Sequence, residues 1–315
     1  MTTSIFFKPG LPGKIFAAWM MTLLIVTSAT ACDVCGCSLG GNYFGLLPSF
    51  NKNFIGIRWS QASFNAHMNH HSEYFQEEYS HDTYRKLEVW GRIKISSRFQ
   101  IFAFVPYSFN TMNGNLQKVD ASGPGDVTVM GSYKVFTSSD EVKWQQMMTI
   151  GGGIKLPTGE HAQEDQGKLV NPNFQLGTGS VDFLLNAVYQ LRYRNAGINL
   201  EAGYKINTRN SRDYHFGNQG YGSSQFFYKQ KIGIITLLPN AGTYFEHAAE
   251  HKDGTSRLSN TGGRALFLST GLETYIKSFS IGANYKHPLT QQYNSDSIAD
   301  IHAADRWTIS VTYSF

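Results

Sequence analysis

The sequence predicts an all-β protein: a transmembrane antiparallel β-barrel of about twelve strands. Three observations predict it. Apolar and polar residues alternate with period two through most of the chain beyond residue 52. The segments between the alternating runs are short and long in turn, as periplasmic turns and extracellular loops are in outer-membrane barrels. The final run, 307-WTISVTYSF-315, puts Trp307, Ile309, Val311, Tyr313 and Phe315 on one face and ends on an aromatic residue.

The first element, residues 1–31, reads as an export signal. Lys8 and Lys14 precede the apolar run 15-IFAAWMMTLLIVTSA-29, which is short for a membrane span, and Ala29-Thr30-Ala31 fits the small-x-small pattern of a cleavage site. The rival reading is a lipoprotein signal in which Cys32 is acylated. Either way the chain leaves the cytoplasm, so its thiols meet an oxidising compartment.

Residues 32–51 form a Cys/Gly-rich segment carrying all three cysteines of the chain, Cys32, Cys35 and Cys37. Thiolates at C-x-x-C-x-C spacing are soft ligands, suited to copper(I) or zinc. An acylated Cys32 would instead leave Cys35 and Cys37 as a close pair. The following stretch, 38-SLGGNYFGLLPSFNKN-53, is expected either to enter the barrel as a plug or to pack beneath it.

Residues 52–315 are the expected barrel. In 87-LEVWGRIKI-95, Leu87, Val89, Ile93 and Ile95 oppose Glu88, Arg92 and Lys94. In 181-VDFLLNAVYQLRY-193, the apolar face opposes Asp182, Asn186, Gln190 and Arg192. In 198-INLEAGYKI-206, Glu201 and Lys205 are on the polar side, as is Lys286 in 279-FSIGANYK-286. Lipid would not tolerate these charges, so Arg92, Lys94, Asp182, Arg192, Glu201, Lys205, Glu273 and Lys286 are predicted to line the lumen. Trp59, Trp90, Trp144, Trp307, Tyr107 and Tyr133 are expected at interfacial girdles. Long loops are expected near 67–82, 112–124, 157–176, 209–222, 250–263 and 291–304. Short turns are expected near 96–98, 137–143, 194–197 and 277–279, with one more between 230 and 240.

Two loops carry histidines. In 67-HMNHHSEYFQEEYSHD-82, His67, His70 and His71 could join nearby Glu side chains at copper or zinc; the plain alternative is a solvated loop. The stretch 247-HAAEH-251 matches a zinc-protease pattern that works only on a helix, whereas this stretch closes a strand-like run.

A net charge of +4 on 315 residues implies no nucleic-acid partner. Beyond the leader, no apolar run reaches the length of a membrane helix. No phosphate loop, dinucleotide fingerprint or nucleophile elbow occurs, so no enzyme is predicted.

Three stretches then stand out: 123-GPGDVTVMGSYKVF-136, 151-GGGIKLPTGEH-161 and 177-GTGSVDFLLNAVYQLRY-193. The order G-x-G-D, K-x-P-T-G, G-T-G-S resembles the outer-membrane transporter family named for meta-pathway phenol-degradation operons, over roughly the middle half of the chain. The resemblance implies an outer-membrane barrel with a transport role. The cysteine cluster is no part of that pattern. Read alone, Pro157 marks a strand end, and Gly123, Gly125, Gly177 and Gly179 shape loop-to-strand junctions without binding anything.

The expected function is an outer-membrane channel or transporter for small molecules or ions, with a link to soft-metal handling through the cysteines. The alternatives are a non-conducting structural or metal-binding barrel and, ranked below both, a barrel hydrolase. The expected partners are outer-membrane lipid, the barrel-assembly machinery through the C-terminal strand, and the cargo.

Overall fold

The computed structural model describes residues 52–68, 77–115, 118–139, 142–165, 168–259, 261–295 and 299–315. The expected signal peptide and the segment holding Cys32, Cys35 and Cys37 lie outside them, as do His70 and His71.

Twelve antiparallel staves close into a barrel. They are β1 (Phe54–Met68), β2 (Glu78–Lys94), β3 (Phe99–Gly114), β4 in two segments (Lys118–Pro124 and Thr128–Thr137), β5 (Trp144–Lys155), β6 (Asp182–Tyr193), β7 (Ala196–Ile206), β8 (Gln219–Tyr228), β9 (Ile235–Ala248), β10 (Gly263–Ile276), β11 (Phe279–Ser295) and β12 (Ala299–Ser314). Each pairs with its neighbours in sequence, and β1 pairs with β12 from Phe54↔Ser314 to Met68↔Ala299. Closure matters because an open edge cannot persist in hydrocarbon, where its unpaired N–H and C=O groups find no water.

Register decides which side chains face lipid. Phe54, Arg58 and Ser60 of β1 stand opposite Arg92, Glu88 and Lys86 of β2, all on the inner face. Between them Ile55, Ile57, Val89 and Ile93 point outward and are exposed. Outward aromatics form two belts, with Phe99, Tyr133, Trp144, Tyr193, Tyr228 and Phe279 near the turns and Tyr107, Tyr204, Phe245 and Trp307 further up the strands. Aromatic belts around an apolar band mark the two membrane interfaces.

The loops differ from expectation mainly in extent. The expected 112–124 loop is a hairpin tip, since β3 runs to Gly114 and β4 resumes at Lys118. The 291–304 loop also shrinks, because β11 and β12 run to Ser295 and from Ala299. Polar alternation continues past the membrane band in these strands, so composition resembles a loop while the backbone stays paired. A stave of 15–17 residues, tilted by about 40°, rises about 40 Å, well beyond the roughly 25 Å apolar band. The fifth short turn falls between Tyr228 and Ile235, with Gln230–Ile232 folded onto the start of β9.

Trp90 corrects the girdle expectation. It lies on the inner face, buried against Phe54 at a centroid distance of 4.7 Å and stacked near Phe104. Its neighbours Val89 and Gly91, not Trp90, are in phase with the apolar exterior.

The lumen is well filled. One apolar cluster, including Phe64, Tyr84, Phe174, Tyr244, Phe267 and Tyr293, occupies the extracellular half. A second, around Phe54, Trp90, Phe102, Phe104, Met130 and Leu184, lies nearer the turns.

Candidate functional site in the barrel lumen

Three sets of polar groups share the lumen with these aromatics. The first is Arg58, Lys86 and Glu88. Arg58 donates to Glu88, Lys86 Nζ is 3.3 Å from Glu88 Oε2, and the Arg58 guanidinium lies 4.9 Å from the Trp90 ring centroid. Glu88 is 2 % exposed, so its charge persists only because two cations neutralise it. The second set is Glu246, Tyr293 and Arg306. Arg306 donates to both carboxylate oxygens of Glu246 at 2.8 and 2.9 Å and stacks 4.1 Å from the Phe267 centroid, while Tyr293 donates to Glu246 at 2.5 Å. Planar guanidinium groups suit this paired binding of carboxylate and ring face.

The third set gathers all three glycine-rich motifs. Strand β5 ends at Lys155, before Pro157. Lys155 Nζ lies 2.5 Å from Asp126 Oδ2 and 2.9 Å from Asp182 Oδ2, and donates to Thr178. Asp126 also accepts from the backbone N–H of Gly159 and Thr178 at 3.0 and 2.9 Å. Asp182 accepts from Ser180 Oγ and Thr208 N. The glycines are needed for close approach. A Cβ on Gly177 would come within 2.5 Å of Asp126 Oδ1 and 2.7 Å of the Gly159 carbonyl. Gly179 sits at φ +71, with the His161 ring where a side chain would go.

This knot corrects the reading that the motifs only shape loops. They build an ion-paired anchor, and from it the segment after β5 turns into the barrel. There a short 3-10 turn, Pro172–Phe174, places Phe174 at 0 % exposure, 5.9 Å from the Tyr84 ring. Asn110 Nδ2 holds its carbonyl at 3.1 Å. Sequence reasoning missed Asp126, Lys155, Thr178 and Phe174 as site residues. The available signal was three charged or hydroxylated residues sitting among the repeated glycines.

The predicted lumen residues fall as follows. Arg92, Asp182 and Glu201 are buried on the inner face, and Lys205, Glu273 and Lys286 are partly buried in register with them. Lys286 Nζ stands 3.6 Å from the Tyr244 centroid. Tyr221 donates to Glu201 at 2.8 Å. Lys94 and Arg192 lie at the turn-side rim, where Arg192 donates to Gln145. His67 is outward, above the apolar band, with Nε2 3.3 Å from Glu77 Oε2. No cluster of three or more metal-ligating side chains occurs among the described residues. His247 and His251 diverge: His247 is exposed on β9, whereas His251 is buried in a small extracellular sheet with its Nδ1 2.8 Å from Tyr214 Oη.

On the β7–β8 wall, inward polar atoms of Asn199, Ser223 and Gln225 are buried without a hydrogen-bond partner at Nδ2, Oγ and both Gln225 amide atoms. Asn199 is directly opposite Gln225, and Glu201 opposite Ser223.

No protein-family model matches the chain, and no curated protein matches it. Among solved structures, the COG4313 outer membrane channel from Pseudomonas putida F1 aligns with a TM-score of 0.61 at 12 % identity, covering 87 % of this chain and 98 % of that one. The β domain of the Bordetella autotransporter BrkA aligns more loosely, with a TM-score of 0.43 at 11 % identity, covering 84 % and 100 %. A Pseudomonas aeruginosa FadL homologue gives 0.39 at 10 % identity, covering 84 % and 91 %. The first of these shares the fold, and the other two are too distant to bear on it. The closed twelve-stranded barrel and its apolar, aromatic-belted exterior define an outer-membrane β-barrel protein.

Proposed function

We propose that this barrel is a selective channel for small molecules or ions, constricted by its own inward-folded segment after β5. The observation that carries the reading is the stripe of unpartnered polar atoms on Asn199, Ser223 and Gln225. Buried polar groups are satisfied by protein or by water in nearly every protein, and four such atoms on one wall call for water. A wet stripe beside a packed aromatic wall makes a narrow path rather than a wide pore. Mixed charges at Arg58, Glu88, Glu246 and Arg306 would restrict ion flow without a strong sign preference. The resemblance of the three motifs to the meta-pathway phenol-degradation transporters supports a transport role and leaves the cargo to experiment.

Liposome swelling with solutes of graded size tests this reading. Uptake limited to the smallest solutes supports it, and swelling no faster than in empty liposomes overturns it. A second reading, a non-conducting barrel, is favoured by the aromatic cluster spanning Phe64, Phe174, Phe267 and Tyr293. The cysteines belong to the proposal as a soft-metal site preceding the barrel, formed by Cys32, Cys35 and Cys37 or, after acylation of Cys32, by the remaining pair. Residues 38–53 are proposed as the segment that brings this site to the barrel mouth.

A further inference from the structure

Between the Pro172–Phe174 turn and the inner faces of β2 and β3 lies a cavity of about 160 Å³. We infer that it is a binding subsite for a small monocarboxylate with a compact apolar body. The inference rests on the channel reading, because the cavity lies inside the barrel.

Three features set the ligand class. The first is size. A cavity of about 150 Å³ lined by apolar side chains holds a benzene molecule, so this one admits a body of that scale, and Phe104, Pro106, Leu176 and Leu184 give it apolar walls. The second is an unused hydrogen-bonding edge. The Asn173 side chain lines the cavity, and both its Nδ2 and Oδ1 are buried without a protein partner. Its backbone N–H donates to Asn171 Oδ1 at 2.9 Å, which fixes the main chain from which the side chain projects. Other amides nearby are engaged, Gln175 with Gln163 and Val170, and Asn110 with Phe174. Burying an amide unsatisfied costs about 1–3 kcal/mol, which a bound polar group would recover. The third is charge. Lys86, Lys155 and Lys205 line the cavity with inward side chains, against Glu88 and Asp126. With the direct ion-pair partners Arg58 of Glu88 and Asp182 of Lys155 both added, cations exceed carboxylates by one. A single negative charge fits this balance, and Asn173 Nδ2 supplies a donor for it.

The test is calorimetric titration of the purified, detergent-solubilised barrel with benzoate, benzamide and toluene as probes. They share one ring and differ in charge and polarity. The expected result is saturable benzoate binding at least tenfold tighter than either neutral probe. Asn173→Leu should weaken benzoate at least tenfold while leaving toluene unchanged. Asn173→Asp should weaken it as much, by setting carboxylate against carboxylate. Heat-modifiable gel mobility confirms that each variant is folded. The inference is overturned if toluene binds as tightly as benzoate, if no probe binds, or if benzoate affinity survives both substitutions. The wild-type comparison of the three probes decides the matter even where a variant does not fold. Liposome swelling by the same preparation separates the two claims: swelling without benzoate binding removes only the subsite, and benzoate binding without swelling removes only the channel.

Discussion

The Lys155 ammonium stands 2.9 Å from the Asp182 carboxylate, and the two residues are direct partners at the extracellular end of the β5–β6 ladder. Beyond them the ladder stops, and the chain leaves the wall to enter the lumen. Asp126 completes the arrangement from the break in β4, so one lysine ties together the three strands that border the inward segment.

Removing that lysine should therefore be costly. Lys155→Met leaves Asp126 and Asp182 facing each other inside the wall, and breaking a buried pair costs about 3–5 kcal/mol. Asp126→Asn keeps the shape and leaves Lys155 with Asp182, so it should cost less. Urea unfolding from lipid vesicles, followed by tryptophan fluorescence, reads both. An unchanged midpoint for Lys155→Met would deny the knot its structural role.

Charge selectivity should follow the carboxylate at Glu88. Glu88→Gln leaves Arg58 and Lys86 without their counter-charge, so the chloride-to-potassium permeability ratio should rise several-fold. Reversal potentials across a tenfold KCl gradient measure this. An unshifted potential would place the ion path elsewhere.

The tryptophans should divide by face. Trp144 and Trp307 are 55 % and 52 % exposed on the outside, while Trp90 is 5 % exposed on the inside. In variants with Trp59 replaced and one of the three retained, brominated lipid should quench Trp144 and Trp307 strongly and Trp90 weakly. Equal quenching of all three would contradict the register of β2.

The N-terminal thiols should hold a soft metal. The processed chain should compete with a chromogenic chelator for copper(I), and Cys35→Ser/Cys37→Ser should lower its affinity at least tenfold. Equal retention of copper by the variant would remove the proposed metal link.

Much of this architecture was legible because a membrane barrel writes itself in alternation. The alternation of Val181 to Tyr193 gave a strand, its facing and Asp182's inward position together. Trp90 was misplaced because an aromatic ring is equally at home at an interface and in a packed lumen, and only the phase of its neighbours decides. Hairpin tips were overdrawn because strands outside the bilayer no longer need greasy exteriors. The knot of Asp126, Lys155 and Thr178 was the least legible feature, since its members are separated in sequence and each lies among glycines that suggest a plain loop. Asn199 and Gln225 carried no signal at all, because a polar inward residue looks the same whether or not it finds a partner.

The central claim is that Phe174 and its turn narrow a conducting lumen, and paired single-channel recordings of the native barrel and Phe174→Ala test it most directly. Phe174 is fully buried against Tyr84 within the extracellular apolar cluster, so its removal opens space in the path rather than at the rim. The account predicts small, steady conductance for the native protein and a several-fold increase for Phe174→Ala in barrels of unchanged heat-modifiable mobility. Folded barrels that stay silent in both forms would contradict it and favour a filled, non-conducting lumen.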